Sequence, residues 1–380
     1  MKKQTYLFTY ILFLFLFACQ DKNTSSMQMD EAQSIILNTH KSIDLDSKYI
    51  DLLKIVKLET NDHSLLRQID RMYVDENLYF IFDCTLSKIL IFNLEGKYIN
   101  KIEAKGEGPG EYNQVSDFYI NPTNKQIYLL CDRPNKIMFF DYNGNFIREK
   151  HFNVLYNQIV ADEHYIYVDN LYRPEIKNSQ IVILDSIGNP VGYELPLLKE
   201  RNINLMPFGS FFIKAPLPYY TRRFDNSIYE LINGKVQKKY SLDFKQYTLP
   251  ESIFEEIQSE KQFQERVKEE KYIYAIFDLS EGQSYILLNT NIGIFIIDKI
   301  ENTLQSINFI KNPRFPMDTN FNLPIGHSNG MFACVYSSYI FDSIKEHIEN
   351  GDAKISKEYK DFVMNVKEED NPILFIYQLK

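Results

Sequence analysis

A repeat is the feature that most constrains how this chain can fold. Residues 78–102 read "LYFIFDCTLSKILIFNLEGKYINKI" and residues 127–150 read "IYLLCDRPNKIMFFDYNGNFIREK". With one residue of slack, Tyr79 aligns with Tyr128, Asp83 with Asp132, Lys88 with Lys136 and Gly96 with Gly144. The glycine returns at Gly188 in "LDSIGNP" and at Gly234 in "LINGKV", giving spacings of 48, 44 and 46 residues. "NLEG", "DYNG" and "DSIG" place Asp or Asn three residues before the glycine, which suits a hairpin built on a type I turn and a left-handed residue. A period of this length with about four strands per unit is the signature of a β-propeller.

The first unit reads as strands Arg71–Asp75, Leu78–Asp83, Lys88–Asn93 and Tyr98–Glu103. The second runs over 115–152, the third over about 157–196 and the fourth over about 211–244. After Pro250 the pattern changes: Ile253, Phe254, Ile257, Phe263 and Val267 fall at helical spacing in a charged stretch, predicting an amphipathic insert over about 250–271. A fifth unit extends to about Ile310. A sixth opens near Ile325, is interrupted by a second helical insert over about 338–367, and ends in "ILFIYQL" one strand short. The orphan "YIDLLKIVKLE", residues 49–59, supplies the missing strand. The expectation is an all-β, closed six-bladed β-propeller over 41–380 with four-stranded blades, the N-terminal strand completing the last blade and removing an exposed edge. The 28 Phe and 27 Tyr, with no Trp, fit pleated surfaces.

The N-terminus reads as a targeting segment. Lys2 and Lys3 precede an apolar run from Tyr6 to Phe17, too short to span a bilayer. Leu16-Phe17-Ala18-Cys19 resembles a bacterial lipobox, so residues 1–18 are expected to be a lipoprotein signal peptide and Cys19 the lipidated residue; the alternative is an ordinary secretory signal with an incidental cysteine. Acyl chains on Cys19 would anchor the chain to a membrane. The polar residues 19–40 are expected to be a flexible tether. The remaining cysteines, Cys84, Cys131 and Cys334, sit in or beside apolar runs without metal-ligand spacing and read as core hydrophobes. A formal net charge of −9 argues against non-specific nucleic-acid binding.

The "KGEGPGEY" loop (105–112), the blade "IYLLCDRPNKIMFFDYNGNFI", the blade "DNSIYELINGKV" and the closing "EEDNPILFIYQLK" together resemble the six-bladed β-propeller lipoproteins of Bacteroidota, with NHL-like blades. The resemblance covers nearly everything after Cys19. It implies the fold, export and an outer-membrane lipoprotein, on the periplasmic or the cell-surface side. It carries no catalytic residues, because the family is largely without assigned activity.

"KGEGPGEY" fails as a phosphate cradle: Gly110 is followed by the acidic Glu111, and a strand rather than a helix comes next. It reads instead as the crossing from the first blade to the second, on the face shared with the loops between second and third strands. Those loops carry Arg133, Arg173, Arg222 and Arg223, which with Glu111 and Tyr112 form the candidate ligand-binding set for an anionic group or glycan. The competing reading pairs the arginines with Asp132, Asp169 and Asp225. The expected function is a ligand- or protein-binding module of the envelope, with no cofactor. The alternative is a metal-dependent hydrolase or lyase of the propeller lactonase type, with calcium held by inner-strand groups among Asp75, Asp117, Asp162, Glu163, His164 and His327. The helical inserts are either docking elements for an envelope partner or caps on the protein's own surface.

Overall fold

The structure, a computed structural model, describes residues 33–36, 38–39, 42–198, 210–214, 217–311, 318–320, 325–328, 330–351 and 356–380. The leader, Cys19 and most of the segment read as a tether lie outside the described residues.

Six sheets form the propeller, each named here as a blade. In blade 1 the strands Arg71–Asp75, Leu78–Asp83, Lys88–Asn93 and Tyr98–Ile102 pair antiparallel in chain order. Blade 2 repeats this with Gln114–Asn121, Gln126–Arg133, Asn135–Asp141 and Phe146–His151, and blade 3 with Ile159–Ala161, Ile166–Asp169, Ser179–Leu184 and Pro190–Pro196. Blade 4 contains Ser210–Ile213, Tyr219–Arg222, Ser227–Ile232 and Lys235–Asp243; blade 5 contains Ile276–Glu281, Tyr285–Thr290, Gly293–Asp298 and Thr303–Lys311. Blade 6 orders Ile325–Ser328, Met331–Tyr336, Ile373–Leu379 and, as its outer strand, the N-terminal Ile50–Lys57.

The expectation of a closed, uniformly four-stranded assembly is corrected here. None of the six sheets closes on itself; each is an open ladder with two edges. The N-terminal strand completes the sixth sheet and leaves it open. The physical reason is that blades meet through side chains and scattered hydrogen bonds, not through edge-to-edge ladders. At the seam between blades 6 and 1, Leu66 donates its N–H to Asn371 Oδ1 at 2.8 Å, and Asn371 Nδ2 donates to the carbonyls of Glu59 and Ser64. Two sheets also exceed four strands. Gln33–Ile36 lies parallel on the outer strand of blade 4, and Asn38–Thr39 and Ile43–Leu45 lie parallel on that of blade 5, where Asp318–Asn320 also pairs. Gln33–Ile36 and Asn38–Thr39, inside the expected tether, are thus edge strands. Ile35, 1% exposed, and Leu45, 0% exposed, give them an apolar grip on the propeller.

Second and third strands are buried almost throughout, whereas outer strands are half exposed. One core cluster runs through blades 1–3 and into blade 4, including Phe80, Phe118, Phe139, Tyr167 and Tyr220. The first insert holds two helices, α1 (Ile253–Glu256) and α2 (Glu260–Glu270), and the second holds α3 (Ile340–Glu349) and α4 (Lys357–Met364). Ser259 caps α2 by accepting the Gln262 N–H, and Phe263 and Val267 are buried with Phe254 and Tyr274. Phe341, Ile344 and Ile348 of α3 join the core of blade 6. Both inserts therefore cap the protein's own surface. No described helix is long and apolar enough to cross a membrane.

Candidate functional site

The first strand of each blade lines the propeller's axis, and charged side chains from four blades gather there. Asp117, in the middle of the inner strand of blade 2, has no exposed surface. Its Oδ2 accepts the Ile159 N–H of blade 3 at 2.8 Å, and its Oδ1 accepts from Lys214 Nζ of blade 4 at 2.5 Å. Arg71, the first residue of blade 1, places Nε 3.3 Å from the same Oδ1. Lys214 Nζ also donates to the Phe118 carbonyl at 2.5 Å and stands 5.7 Å from the Tyr73 ring centroid. Blades 2 and 4 are separated in sequence by blade 3, so this pair meets across the axial space.

Burial pulls the Lys214 ammonium down to about 7; the like charge of Arg71 adds to this, while Asp117 and Asp278 oppose it. Burial and the Asp117 charge push the Tyr73 hydroxyl well up, so it stays protonated. The Arg71 side chain is 30% exposed, and beyond its contact with Asp117 its guanidinium has no hydrogen-bond or ion-pair partner among the described residues. It is a fork held at one end, with donors to spare.

The loop residues anticipated from sequence occupy different surroundings. Arg222 is 7% exposed; its Nε donates to Asp225 Oδ2 at 2.9 Å and its Nη1 to the Pro196 carbonyl at 2.7 Å. Arg173 donates to the carbonyls of Asn170 and Leu155. Arg223 lies 5.9 Å from the Tyr274 ring centroid. Arg133 is exposed at the end of its strand. Arg222 and Arg223 both act on the Tyr172 hydroxyl of the neighbouring loop, which burial raises to about 12. Tyr112 has no exposed surface, and its hydroxyl donates to the Ser87 and Ile102 carbonyls in the seam between blades 1 and 2. Glu111 accepts the Gly108 N–H, and its carbonyl accepts from Lys136 Nζ at 2.6 Å. A side chain at Gly106, with φ +156°, would collide with the Glu111 carboxylate, so the loop is a folded corner.

Among the described residues no group of three or more His, Cys, Asp or Glu could hold a metal ion. Asp75 accepts from the Tyr142 hydroxyl at 2.6 Å, and Asp162 from the Tyr167 hydroxyl at 2.6 Å. Glu163 and His164 lie with Asp162 in the turn that follows the inner strand. The side chain of His327 lies outside the described residues. Asp117, the acid of this set at the axis, is already neutralised by Lys214 and Arg71. Cys131 and Cys334 are buried and Cys84 is half-buried, all as free thiols.

Sequence reasoning missed Arg71, Lys214 and Asp278. It scanned the inner strands for acids and histidines alone, which passes over Arg71 in "RMYVD"; Asp278 in "IFDLSE" is an inner-strand acid left out of that set. Lys214 falls one residue past its strand and carries no such signal.

Fold and site together define a six-bladed propeller with a charged axis. Over residues 32–378 the chain matches, and belongs to, the family described as a domain of unknown function, DUF4934. No curated protein matches it. A candidate exported protein from Bacteroides fragilis NCTC 9343 has the same fold, with a TM-score of 0.71 at 17% identity over 92% of this chain and 100% of its own. A DUF4221 member from Bacteroides vulgatus scores 0.45 at 9% identity, covering 76% of this chain and 83% of its own. A virginiamycin B lyase from Staphylococcus aureus scores 0.41 at 15% identity, covering 75% and 81%. Neither of these two distant likenesses bears on activity.

Proposed function

We propose that this chain is an exported, lipid-anchored binding module of the cell envelope, and that its axis receives the acidic group of a ligand at Arg71. The observation that carries this reading is the held but incompletely bonded guanidinium. Asp117 is fixed by blades 2, 3 and 4 and anchors Arg71 through Nε, which leaves the remaining N–H donors for a carboxylate or sulfate. Lys214 beside it adds a charge that an arriving anion strengthens, because a nearby negative charge favours the protonated ammonium. Binding therefore takes up a proton near neutral pH and is tighter at pH 6 than at pH 8.5. The "LFAC" leader and Cys19 support export and anchoring at the outer membrane.

The test is mass spectrometry of small molecules that co-purify with the chain from its native envelope, run beside Arg71→Gln. An acidic compound retained by the native chain and lost from the variant supports the reading; equal retention defeats it. Cys19→Ser is expected to move the chain out of the membrane fraction, and protease treatment of intact cells decides which face of the membrane it occupies.

A further inference from the structure

A second concave site, separate from the axis, lies where the first helical insert meets blade 5. Helix α2 packs Phe263 and Val267 inward, and a half-open cleft of about 600 Å³ lies between its C-terminal half and blade 5. Its wall is apolar and aromatic: Tyr247, Tyr274, Ile292 and Phe295, with Val267 from the helix. Tyr247 and Phe295 lie ring to ring at 6.1 Å. Two cations, Lys268 and Lys271, share the polar part of the lining with Gln264, Asn291 and Ser306. Both are exposed, and neither forms an ion pair with a described residue, although the same helix pairs Lys261 with Glu265 and Arg266 with Glu270.

We infer that this cleft binds an amphiphilic organic anion, a flat apolar body carrying one carboxylate or sulfonate. The aromatic wall buries the body, and the two lysines meet the acidic end. A neutral apolar ligand would leave both ammonium groups unused, and a small inorganic anion would leave the wall wet. The charge complementarity is local, since the whole chain carries −9. Nothing in this site uses Arg71 or Lys214, so it stands or falls independently of the axial reading.

The probe is 1-anilinonaphthalene-8-sulfonate, an aromatic sulfonate that fluoresces on burial, with N-phenyl-1-naphthylamine as its neutral counterpart. The native chain is expected to bind the sulfonate saturably at one site, more weakly as salt is raised. Replacing both cations, Lys268→Gln with Lys271→Gln, is expected to weaken the sulfonate about tenfold and leave the neutral probe unchanged, as two solvent-facing charge contacts would. Lys261→Gln on the same helix is the control and leaves both probes unchanged. Ile292→Trp, which fills the cleft, is expected to abolish both; should that variant misfold, the lysine pair still decides, because those side chains are exposed. Absence of saturable sulfonate binding overturns the inference, as does a lysine pair that matters no more than Lys261.

Discussion

Lys214 Nζ and Asp117 Oδ1 lie 2.5 Å apart although 97 residues separate them, and they belong to blades 4 and 2. Asp117 is the hub of this contact. Its two oxygens also receive Ile159 N–H and face Arg71, so one carboxylate ties four blades at the axis. Replacing it by Asn takes from two cations, one of them buried, the carboxylate they share. Loss of about 3–5 kcal/mol is expected from such a broken pair, read as a lower denaturation midpoint in urea with an unchanged slope.

Lys214→Met tests the same relationship through pH. The folded-state ammonium is pulled down to about 7 from an ordinary 10.5. Between these values the unfolded chain holds a proton that the folded chain has released. Native stability therefore rises with pH across this window relative to the variant, by at most about 1.4 kcal/mol per pH unit, and the difference levels off below 7 and above 10.5. Chemical denaturation of both chains at pH 6, 8 and 10 measures it. A constant difference would show that Lys214 keeps its proton throughout.

The architecture was legible because it is local. Hairpin glycines recur at a fixed spacing, and each second and third strand is a nearly continuous apolar run, as in "YFIFD" and "KILIFN". The repeat even marked Lys88 and Lys136, but not their role. Each donates to the carbonyl of the crossing loop before its own blade, Lys88 to Leu65 and Lys136 to Glu111. The axial site was illegible for the converse reason: Arg71, Asp117 and Lys214 share no motif, and only the order of blades brings them together. The edge strands Gln33–Ile36, Asn38–Thr39 and Ile43–Leu45 were hidden by brevity, since two to four residues are too few to show an alternating pattern. That the sheets stay open was equally unreadable, because a matching surplus and shortage of strands says which strands pair and nothing about whether a ladder continues.

Glu281 is a second node, between blades 4 and 5. It accepts from the Tyr240 hydroxyl at 2.7 Å and the Tyr219 hydroxyl at 2.8 Å, with Lys299 and Lys239 at 3.3 and 3.5 Å. Burial pushes its carboxyl up, but the two hydroxyls and two ammonium groups outweigh burial and hold it below its usual range. A depressed folded-state value contributes stability that is present above the unfolded carboxylate range and is lost as pH falls through the folded one. Glu281→Gln is expected to flatten acid denaturation below about pH 4.5 and to cost stability at pH 7. Circular dichroism during acid titration reports both.

Gly96 and Gly351 share nearly the same left-handed backbone, φ +79° and +78°. A Cβ at Gly96 would collide with the Lys57 carbonyl, whereas one at Gly351 meets no atom of the described residues within 4 Å. Alanine at either position carries the left-handed penalty of about 1–2 kcal/mol. Only Gly96→Ala must also displace backbone at the seam of blades 6 and 1, adding about 1–3 kcal/mol. Equal melting temperatures for the two variants would refute the seam contact.

The N-terminal strands are expected to hold blades 4 to 6 from outside, and two leucines eight residues apart test this. Leu45 pairs with Ile310 on the edge of blade 5, has no exposed surface, and packs in the cluster that includes Ile50, Phe332 and Phe375. Leu53 lies on the outer strand of blade 6 and is 54% exposed. Leu45→Ala opens a cavity and is expected to cost about 2–5 kcal/mol. Leu53→Ala removes surface already in water and should stay within about 0.5 kcal/mol of the native chain. Hydrogen exchange adds the spatial readout: in Leu45→Ala, protection falls first along Thr303–Lys311, whose outer edge the strand covers, while Lys88–Asn93 in blade 1 keeps its native rate. If both segments lose protection together, the strand supports the whole propeller and not one edge of it.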